Sequence, residues 1–575
     1  MKILGFTSLC LLLCSFQDSA SEQAATDEAD AKQAPWFRDV TQKSGINFVH
    51  DWGATPERHL PETMGAGAAI FDANEDGWLD IYFVQGGPFP PGAGEGLPTN
   101  RLYLNRANPF KTGINFVDAT DQSGDAAHTG YGMGVTCGDA NGDGHTDLYV
   151  TNFGPDVLLL GDGKGGFTDV TAASGIQDDR WTAGSAFFDA DGDGDQDLYV
   201  TAYVAIDVEE PEWCGRKEEG WRSYCHPDQY EGLADRYWEN QGDGTFLDRT
   251  KEAGLADNGG KGLGVLACDL DNDRDIDLYI ANDGTENRLW LNDGKGHFTD
   301  RTMRSGTGVN ANGLTEAGMG IAVGDVDHNR YLDLLVTNFD DESNTLYLGR
   351  KQSFRDSTVI SGLEAPSRLP VGFGVVLADF DHDTHLDLMV ANGHIIHNID
   401  LYHDGKTHAQ ALQLFAGGGD GSFAQVPPAS AGDAFAGRYV GRGLYTGDLD
   451  NDGALDVVVT QCGGPAVVLE NLTPQGRGFV IRGLEVGCEI QINYSSGDDV
   501  TEFYRLSSSP SYFGYCAKEL HVTSGEFDLM NHWDYGIEGY AIYHPDGEIA
   551  DTGFGAFPLV FRLKLGPDGR YVEVR

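Results

Sequence analysis

Seven eleven-residue cassettes hold the side chains best suited to chemistry: "DANEDGWLDIY" from Asp72, "DANGDGHTDLY" from Asp139, "DADGDGDQDLY" from Asp189, "DLDNDRDIDLY" from Asp269, "DVDHNRYLDLL" from Asp325, "DFDHDTHLDLM" from Asp379 and "DLDNDGALDVV" from Asp448. Numbered from that first aspartate, position 3 is Asn74, Asn141, Asp191, Asp271, Asp327, Asp381 and Asp450. Position 5 is Asp76, Asp143, Asp193, Asp273, Asn329, Asp383 and Asp452, and position 9 is Asp80, Asp147, Asp197, Asp277, Asp333, Asp387 and Asp456. All are short side chains ending in oxygen. Position 7 holds Trp78, His145, Asp195, Asp275, Tyr331, His385 and Ala454. Side chains so unlike one another at a fixed place point to the backbone carbonyl as the group used there.

Oxygens at positions 1, 3, 5, 7 and 9 suit a hard cation. Ca²⁺ takes about six to eight oxygen ligands at about 2.3–2.6 Å. One such loop reads as a turn rich in Asp and Asn; seven with a single spacing read as metal loops. Oxygen-only ligation argues against zinc and copper. Magnesium keeps its waters and demands a rigid octahedron. The expected cofactor is therefore Ca²⁺, up to seven ions, one per loop. The helix-flanked calcium loop is excluded, because it needs a glutamate at position 12 and Phe83 stands there in the first copy. Position 6 is Gly77, Gly144, Gly194 and Gly453 in four copies but Arg274, Arg330 and Thr384 in three. Those three loops are expected to turn differently or to bind more weakly.

The elements that must hold these loops repeat as well. An apolar segment opening on a Gly-x-Gly pattern precedes most loops, as in "GMGVTCGD" (132), "GLGVLACD" (262) and "GFGVVLAD" (372). An apolar run follows each loop, then a segment such as "NRLYLN" (100) or "NRLWLN" (287), then "FVDAT" (116), "FTDVT" (167) or "FTDRT" (298). Each unit reads as four short strands with the loop between the first pair. Loop-to-loop spacings run from 50 to 80 residues, so insertions interrupt some units. Four-stranded units repeated around a ring make a β-propeller. The expected fold is all-β: a seven-bladed propeller with calcium loops over residues 36–472 and a small C-terminal β-rich region over 473–575. Residues 1–16 read as a signal peptide and 17–35 as a disordered tether.

"GMGVTCGDANGDGHTDLYV" and its fellows resemble the FG-GAP repeats of integrin α-subunit propellers. "LPETMGAGAAIFDANEDGWLDIYFVQGG" (60–87), "NGHIIHNIDLY" (392) and "GRGLYTGDLDNDGALDVVVTQCGGPAVVLEN" (441–471) are similar to the bacterial FG-GAP/VCBS proteins related to cartilage acidic protein, which often end in an ASPIC/UnbV domain. The insertion "WCGRKEEGWRSYCHPDQYEGLADRYWENQGDGTF" shares that likeness. It covers roughly residues 36–472. The tail matches ASPIC/UnbV only faintly and lacks its glycine-rich ending. The resemblance implies a propeller and a calcium-dependent binding role.

A net charge of −52 argues against nucleic acid as a partner. Seven divalent cations would still leave −38. Beyond the leader no stretch is long enough to span a bilayer. Cys14 opens the alternative of a lipid anchor, against which stands Leu13 where a small residue is usual. Cys214 and Cys225 share one insertion, and Cys488 and Cys516 share the tail; export permits both pairs as disulfides. Cys137, Cys268 and Cys462 sit in apolar runs and read as small buried residues. His394, His397, His403 and His408 crowd one stretch without a strong ligand spacing and read as a structural insertion. Arg216, Lys217 and Arg222 read as part of a disulfide-pinned surface loop, the sharper alternative being a site for an anionic glycan. No nucleophile motif, phosphate loop or HExxH occurs. The expected function is an exported scaffold for binding or adhesion, its partner an extracellular or cell-surface protein or glycan. The alternative is a calcium-dependent polysaccharide lyase or another carbohydrate-active enzyme.

Overall fold

The computed structural model describes residues 34–473 apart from 93–95, 107–112, 219 and 257–258, the strands between 478 and 574, and residues 512–514. The leader, the tether, Cys14, Cys488 and Cys516 lie outside the described residues.

Seven four-stranded antiparallel sheets follow one another along the chain. Blade 1 comprises Ala68–Phe71, Asp80–Phe83, Arg101–Asn105 and Phe116–Asp118; blade 2, Gly132–Gly138, Asp147–Asn152, Val157–Gly161 and Phe167–Asp169. Blades 3 to 6 repeat the order from Thr182–Phe188, Gly262–Cys268, Ile321–Gly324 and Gly372–Ala378. Blade 7 has only three consecutive strands, Gly441–Gly447, Asp456–Gln461 and Val467–Asn471. Its fourth is the N-terminal Phe37–Asp39, with Phe37 opposite Asn471. First strands of neighbouring blades touch one another all the way round, blade 7 against blade 1 included. The ring is closed by its own two ends, which removes the exposed edge an open array would leave.

Burial shows why these segments are strands. In Gly132–Gly138 and Asp147–Asn152 every residue is buried. Successive side chains point to opposite faces, so both faces of each blade are covered. Ile81 packs with Val457 and Val459 of blade 7, while its neighbour Tyr82 packs with Val135 and Val150 of blade 2. Glycine at the start of each first strand permits that approach: a Cβ on Gly67 would lie 2.7 Å from the Met133 carbonyl oxygen of the next blade.

The recurrent Phe-x-Asp-x-Thr ending has a local cause. In blade 2, Asp169 Oδ1 accepts the Thr171 N–H (2.9 Å) and hydroxyl (2.7 Å), and the Leu158 N–H donates to Thr171 Oγ1 (2.9 Å). The motif therefore ends the fourth strand and ties it back to the third.

The C-terminal strands form two further four-stranded sheets. Gly478–Arg482 runs between Glu519–Thr523 and Arg562–Leu565, and Glu489–Tyr494 between Val500–Arg505 and Ile537–Tyr543. Between them in sequence, Tyr512 and Phe513 are buried among the first strands of the propeller, beside Met133, Leu263, Met319 and Phe373. The Val135 N–H donates to the Phe513 carbonyl (3.3 Å), and the Tyr445 hydroxyl to that of Tyr512 (3.0 Å). A three-residue tip thus fills the axis of the ring.

Candidate functional site

All seven aspartate cassettes connect the first and second strands of a blade, and their backbone obeys one set of bonds. The position-1 carboxylate accepts the position-6 N–H in every loop (2.7–3.1 Å). The position-5 side-chain oxygen accepts the position-7 N–H (2.8–3.0 Å). The position-9 carboxylate accepts the position-2 N–H (2.8–3.2 Å). Its other oxygen accepts an N–H at or next to the end of the third strand (2.6–2.9 Å). Position 9 therefore locks the loop to its own blade. Each carboxylate oxygen has two lone pairs, so these bonds leave room for a cation.

Position 6 corrects one expectation. Its φ lies between +72° and +98° in all seven loops, Arg274, Arg330 and Thr384 included. Those three loops do not turn differently. The left-handed residue costs an L side chain roughly 1 kcal/mol, which the bond to the position-1 carboxylate offsets. Position 4 is left-handed throughout as well, from Glu75 in the first loop to Asn451 in the last.

Inside the loops carboxylates crowd together. Ligating atoms lie within 4.8 Å of one another in Asp189–Asp191–Asp193, Asp269–Asp271–Asp273, Asp325–Asp327–Asp333, Asp379–Asp381–Asp387 and Asp448–Asp450–Asp456. In the first two loops position 3 is an amide, Asn74 or Asn141, which leaves fewer carboxylates to converge. One observation fits a cation. Asp271 Oδ1, Asp327 Oδ1 and Asp381 Oδ1, all at position 3, are buried without a hydrogen-bond partner. A buried oxygen bearing charge and lacking a donor is costly unless something positive meets it. Burial first, and the neighbouring aspartates second, push Asp271 and Asp381 up to about 6. Burial lifts Asp80 and Asp333 to about 8 despite their backbone bonds. Among the described residues these aspartates are the only such three-ligand groups, so the histidines of 394–408 do not gather into a metal site.

Neighbouring loops touch. Glu75 Oε1 is 2.6 Å from His145 Nδ1, and His328 Nε2 is 3.1 Å from His385 Nδ1. At those two loops the position-7 side chain is turned sideways towards the neighbouring loop. Loops also grip the next blade. The position-2 carbonyls of Ala140, Ala190, Phe380 and Leu449 accept Nδ2–H bonds from Asn240, Asn292, Asn471 and Asn105 (2.7–3.0 Å).

The opposite face is irregular. Cys214 and Cys225 are disulfide-bonded, pinning the insertion of blade 3. That insertion reaches across the axis: the Tyr224 hydroxyl donates to Glu62 Oε2 (2.9 Å), and Asn398 Nδ2–H donates to the Gly220 carbonyl (3.1 Å). Arg216 stacks on Trp221 at 4.4 Å and Arg222 on Trp213 at 4.6 Å. Cys137, Cys268 and Cys462 are buried, as their apolar surroundings suggest. Two features of this face escaped the sequence: the tip Tyr512–Gly514, and Arg442. The signal for Arg442 was a cation between the glycines of "GRG", where other copies hold alanine, leucine, methionine or phenylalanine.

A family profile described as FG-GAP-like repeat matches residues 72–150, 139–200, 269–336, 325–390 and 401–459, together more than half the chain. Cartilage acidic protein 1 of Homo sapiens is 25% identical over 437 residues, 71% of this chain and 58% of its own length. The Mus musculus protein is 25% identical over 431 residues, 70% of this chain and 58% of its own. This chain thus spans under two thirds of the relatives it matches. A solved Agrocybe aegerita lectin, described as recognising non-reducing terminal N-acetylglucosamine, aligns with 65% of this chain and 84% of its own at 15% identity and a TM-score of 0.36. No helix among the described residues is long and apolar enough to cross a membrane.

Proposed function

This chain belongs to the FG-GAP-like repeat family, and on that premise we propose that it is an exported, calcium-stapled propeller that works by binding. It is a scaffold or adhesion module for an extracellular or cell-surface protein or glycan. The observation that carries the calcium reading is the set of buried, unpartnered oxygens of Asp271, Asp327 and Asp381 inside a loop repeated seven times. Side chains at positions 1, 3, 5 and 9, with the carbonyl at 7, would hold the ion. Calcium supplies positive charge where each loop gathers three or four carboxylates. The chain's own groups do the rest. Position 9 fastens the loop to its blade, and the position-2 carbonyl fastens it to the next one. Ordering a loop therefore orders a blade boundary.

Recognition falls to the other face, where the insertions 86–98, 205–235 and 393–410 differ from one another in length and chemistry. The Cys214–Cys225 disulfide supports export, since such bonds persist in oxidising compartments. Residues 36–472 would form the propeller and 473–575 a separate domain fastened by Tyr512–Gly514.

The test is a screen of the immobilised full chain against matrix proteins and a glycan array, in calcium and in chelator. A ligand should be retained in calcium, lost in chelator, and still retained by Asp189→Ala, which removes one ion of up to seven. No ligand in calcium would remove the binding role. Conversion of an acidic polysaccharide to unsaturated product would replace the scaffold by a lyase.

A further inference from the structure

Arg442 is a buried cation with no counter-ion among the described residues. It occupies the middle of "GRG" at the start of blade 7's first strand, with no exposed surface at all. Its Nε–H donates to the Thr63 carbonyl (2.7 Å), and its Nη1 donates to the carbonyls of Gly393 (2.9 Å) and Gly441 (2.7 Å). Its guanidinium carbon lies 4.0 Å over the Phe373 ring. Among the described residues Nη2 has no hydrogen-bond partner and no carboxylate pairs with Arg442.

The groups that feel Arg442 give it no negative charge. Cys462 donates its thiol to the Glu62 carbonyl (3.1 Å), and burial lifts its pKa to about 11. Tyr224 and Tyr512 are phenols whose pKa burial raises further. Burial, and then the Arg442 charge, hold His50 and His408 at about 3, and burial keeps His394 and His397 below their ordinary value. The nearby acids are engaged elsewhere. Glu62 accepts from the Thr55 hydroxyl (2.5 Å), the His59 N–H (3.2 Å) and Tyr224; Asp340 is held by His394 (3.1 Å) and Lys406 (2.6 Å).

His50 supplies a second donor. Its Nδ1 accepts the Gly463 N–H (3.2 Å), so the neutral ring carries its proton on Nε2, and that atom is buried without an acceptor. A Cβ built on Gly65 would lie 3.1 Å from that Nε2, while Arg442 Nε bonds to Thr63. Arg442 Nε and His50 Nε2 thus both sit against the Thr63–Gly65 turn. Removing a guanidinium from water costs several kcal/mol unless charge is compensated, and charge-assisted bonds to an anion are the strong way to compensate it.

We propose that Arg442 Nη2 and His50 Nε2 hold a small inorganic anion of halide size at the axis of the propeller. The anion neutralises the buried Arg442 charge. It also links Arg442 of blade 7 to His50 in the segment before blade 1, beside the direct bond from Arg442 Nη1 to the Gly393 carbonyl of blade 6. A water molecule could satisfy one donor but would leave the charge.

The test uses the full chain in saturating calcium at constant ionic strength. Tm is measured as methanesulfonate is replaced by chloride or bromide, and bromide-soaked crystals are examined for anomalous scattering. The expected results are a saturable rise in Tm with halide and a bromide peak in hydrogen-bond reach of Nη2 and Nε2. Arg442→Met should abolish the halide dependence. Should that variant fail to fold, His50→Phe should weaken halide affinity by about tenfold or more. A water at that position, with equal Tm in methanesulfonate and chloride, overturns the proposal. Bromide confined to surface side chains, an adventitious ion only, does the same. None of these outcomes bears on calcium or on the binding of a macromolecule.

Discussion

The two faces of this ring are built on opposite principles. On one, seven loops repeat the same hydrogen bonds and are left-handed at the same two positions, and aspartate supplies nearly all the acceptors. On the other, each connection has its own length, and the notable groups occur once: Arg442, His50, Tyr224, the Cys214–Cys225 bridge and the tip Tyr512–Gly514. The difference teaches how to read each. A residue in a repeated position inherits its meaning from its copies; a residue in a single position acquires it only from its neighbours in space.

The sharpest way to break the contrast is to cut one residue from the repeated face. Asp456 is buried and satisfies the N–H groups of Leu449 and Asn471. Asp456→Ala strands both and should cost about 2–5 kcal/mol in chemical denaturation. The exposed-loop change Asp189→Ala should cost clearly less and lower the bound calcium by one. Equal losses would mean that position 9 is only another ligand.

On the irregular face, the paired change Cys214→Ser with Cys225→Ser opens a loop with a sequence separation of 11. The loss should not exceed about 3 kcal/mol, and calcium stoichiometry should not move. A changed stoichiometry would show that the two faces are not separate in function.

Acidity should separate the faces by sign. Asp147 and Asp197 are pushed up to about 7, and Asp80 and Asp333 to about 8, chiefly by burial. Carboxylates raised in this way favour folding while protonated. Their contribution is whole below pH 4 and is lost as pH climbs through 7 and 8. Chelated protein should therefore melt lower at pH 8 than at pH 5, and calcium should abolish that slope. His50 and His408, held at about 3, act the other way. Their contribution is present above pH 6.5 and is lost as pH falls towards 3. A chelated Tm that rises from pH 5 to pH 8 would contradict the loop side of this account.

The smallest effect concerns backbone strain. Thr384 holds φ at +76°, and Thr384→Gly should stabilise by up to about 1 kcal/mol. The same change at a right-handed surface threonine should not.

Much of the repeated face was legible beforehand. Seven copies fixed the loop, the strands on either side and the number of blades. What stayed hidden had physical reasons. Arg274, Arg330 and Thr384 suggested altered turns because glycine is the usual left-handed residue, yet the position-1 carboxylate captures the position-6 N–H whatever the side chain. The closure of blade 7 was half visible. "FRDVT" follows the ending of a fourth strand, and no such ending follows Asn471, but its partner lies more than 400 residues away. Arg442 and Tyr512–Phe513 gave no repeated signal. Their roles depend on an axis that exists only once seven first strands have met.

The central claim is that calcium staples the blades together. It is tested by melting the purified full chain after exhaustive chelation and again after calcium is restored, with metal analysis of both samples. A clear fall in Tm on chelation, full recovery with calcium but not with magnesium, and several calcium ions per chain are predicted. An unchanged melting curve in excess chelator, with no metal bound to either sample, would contradict it.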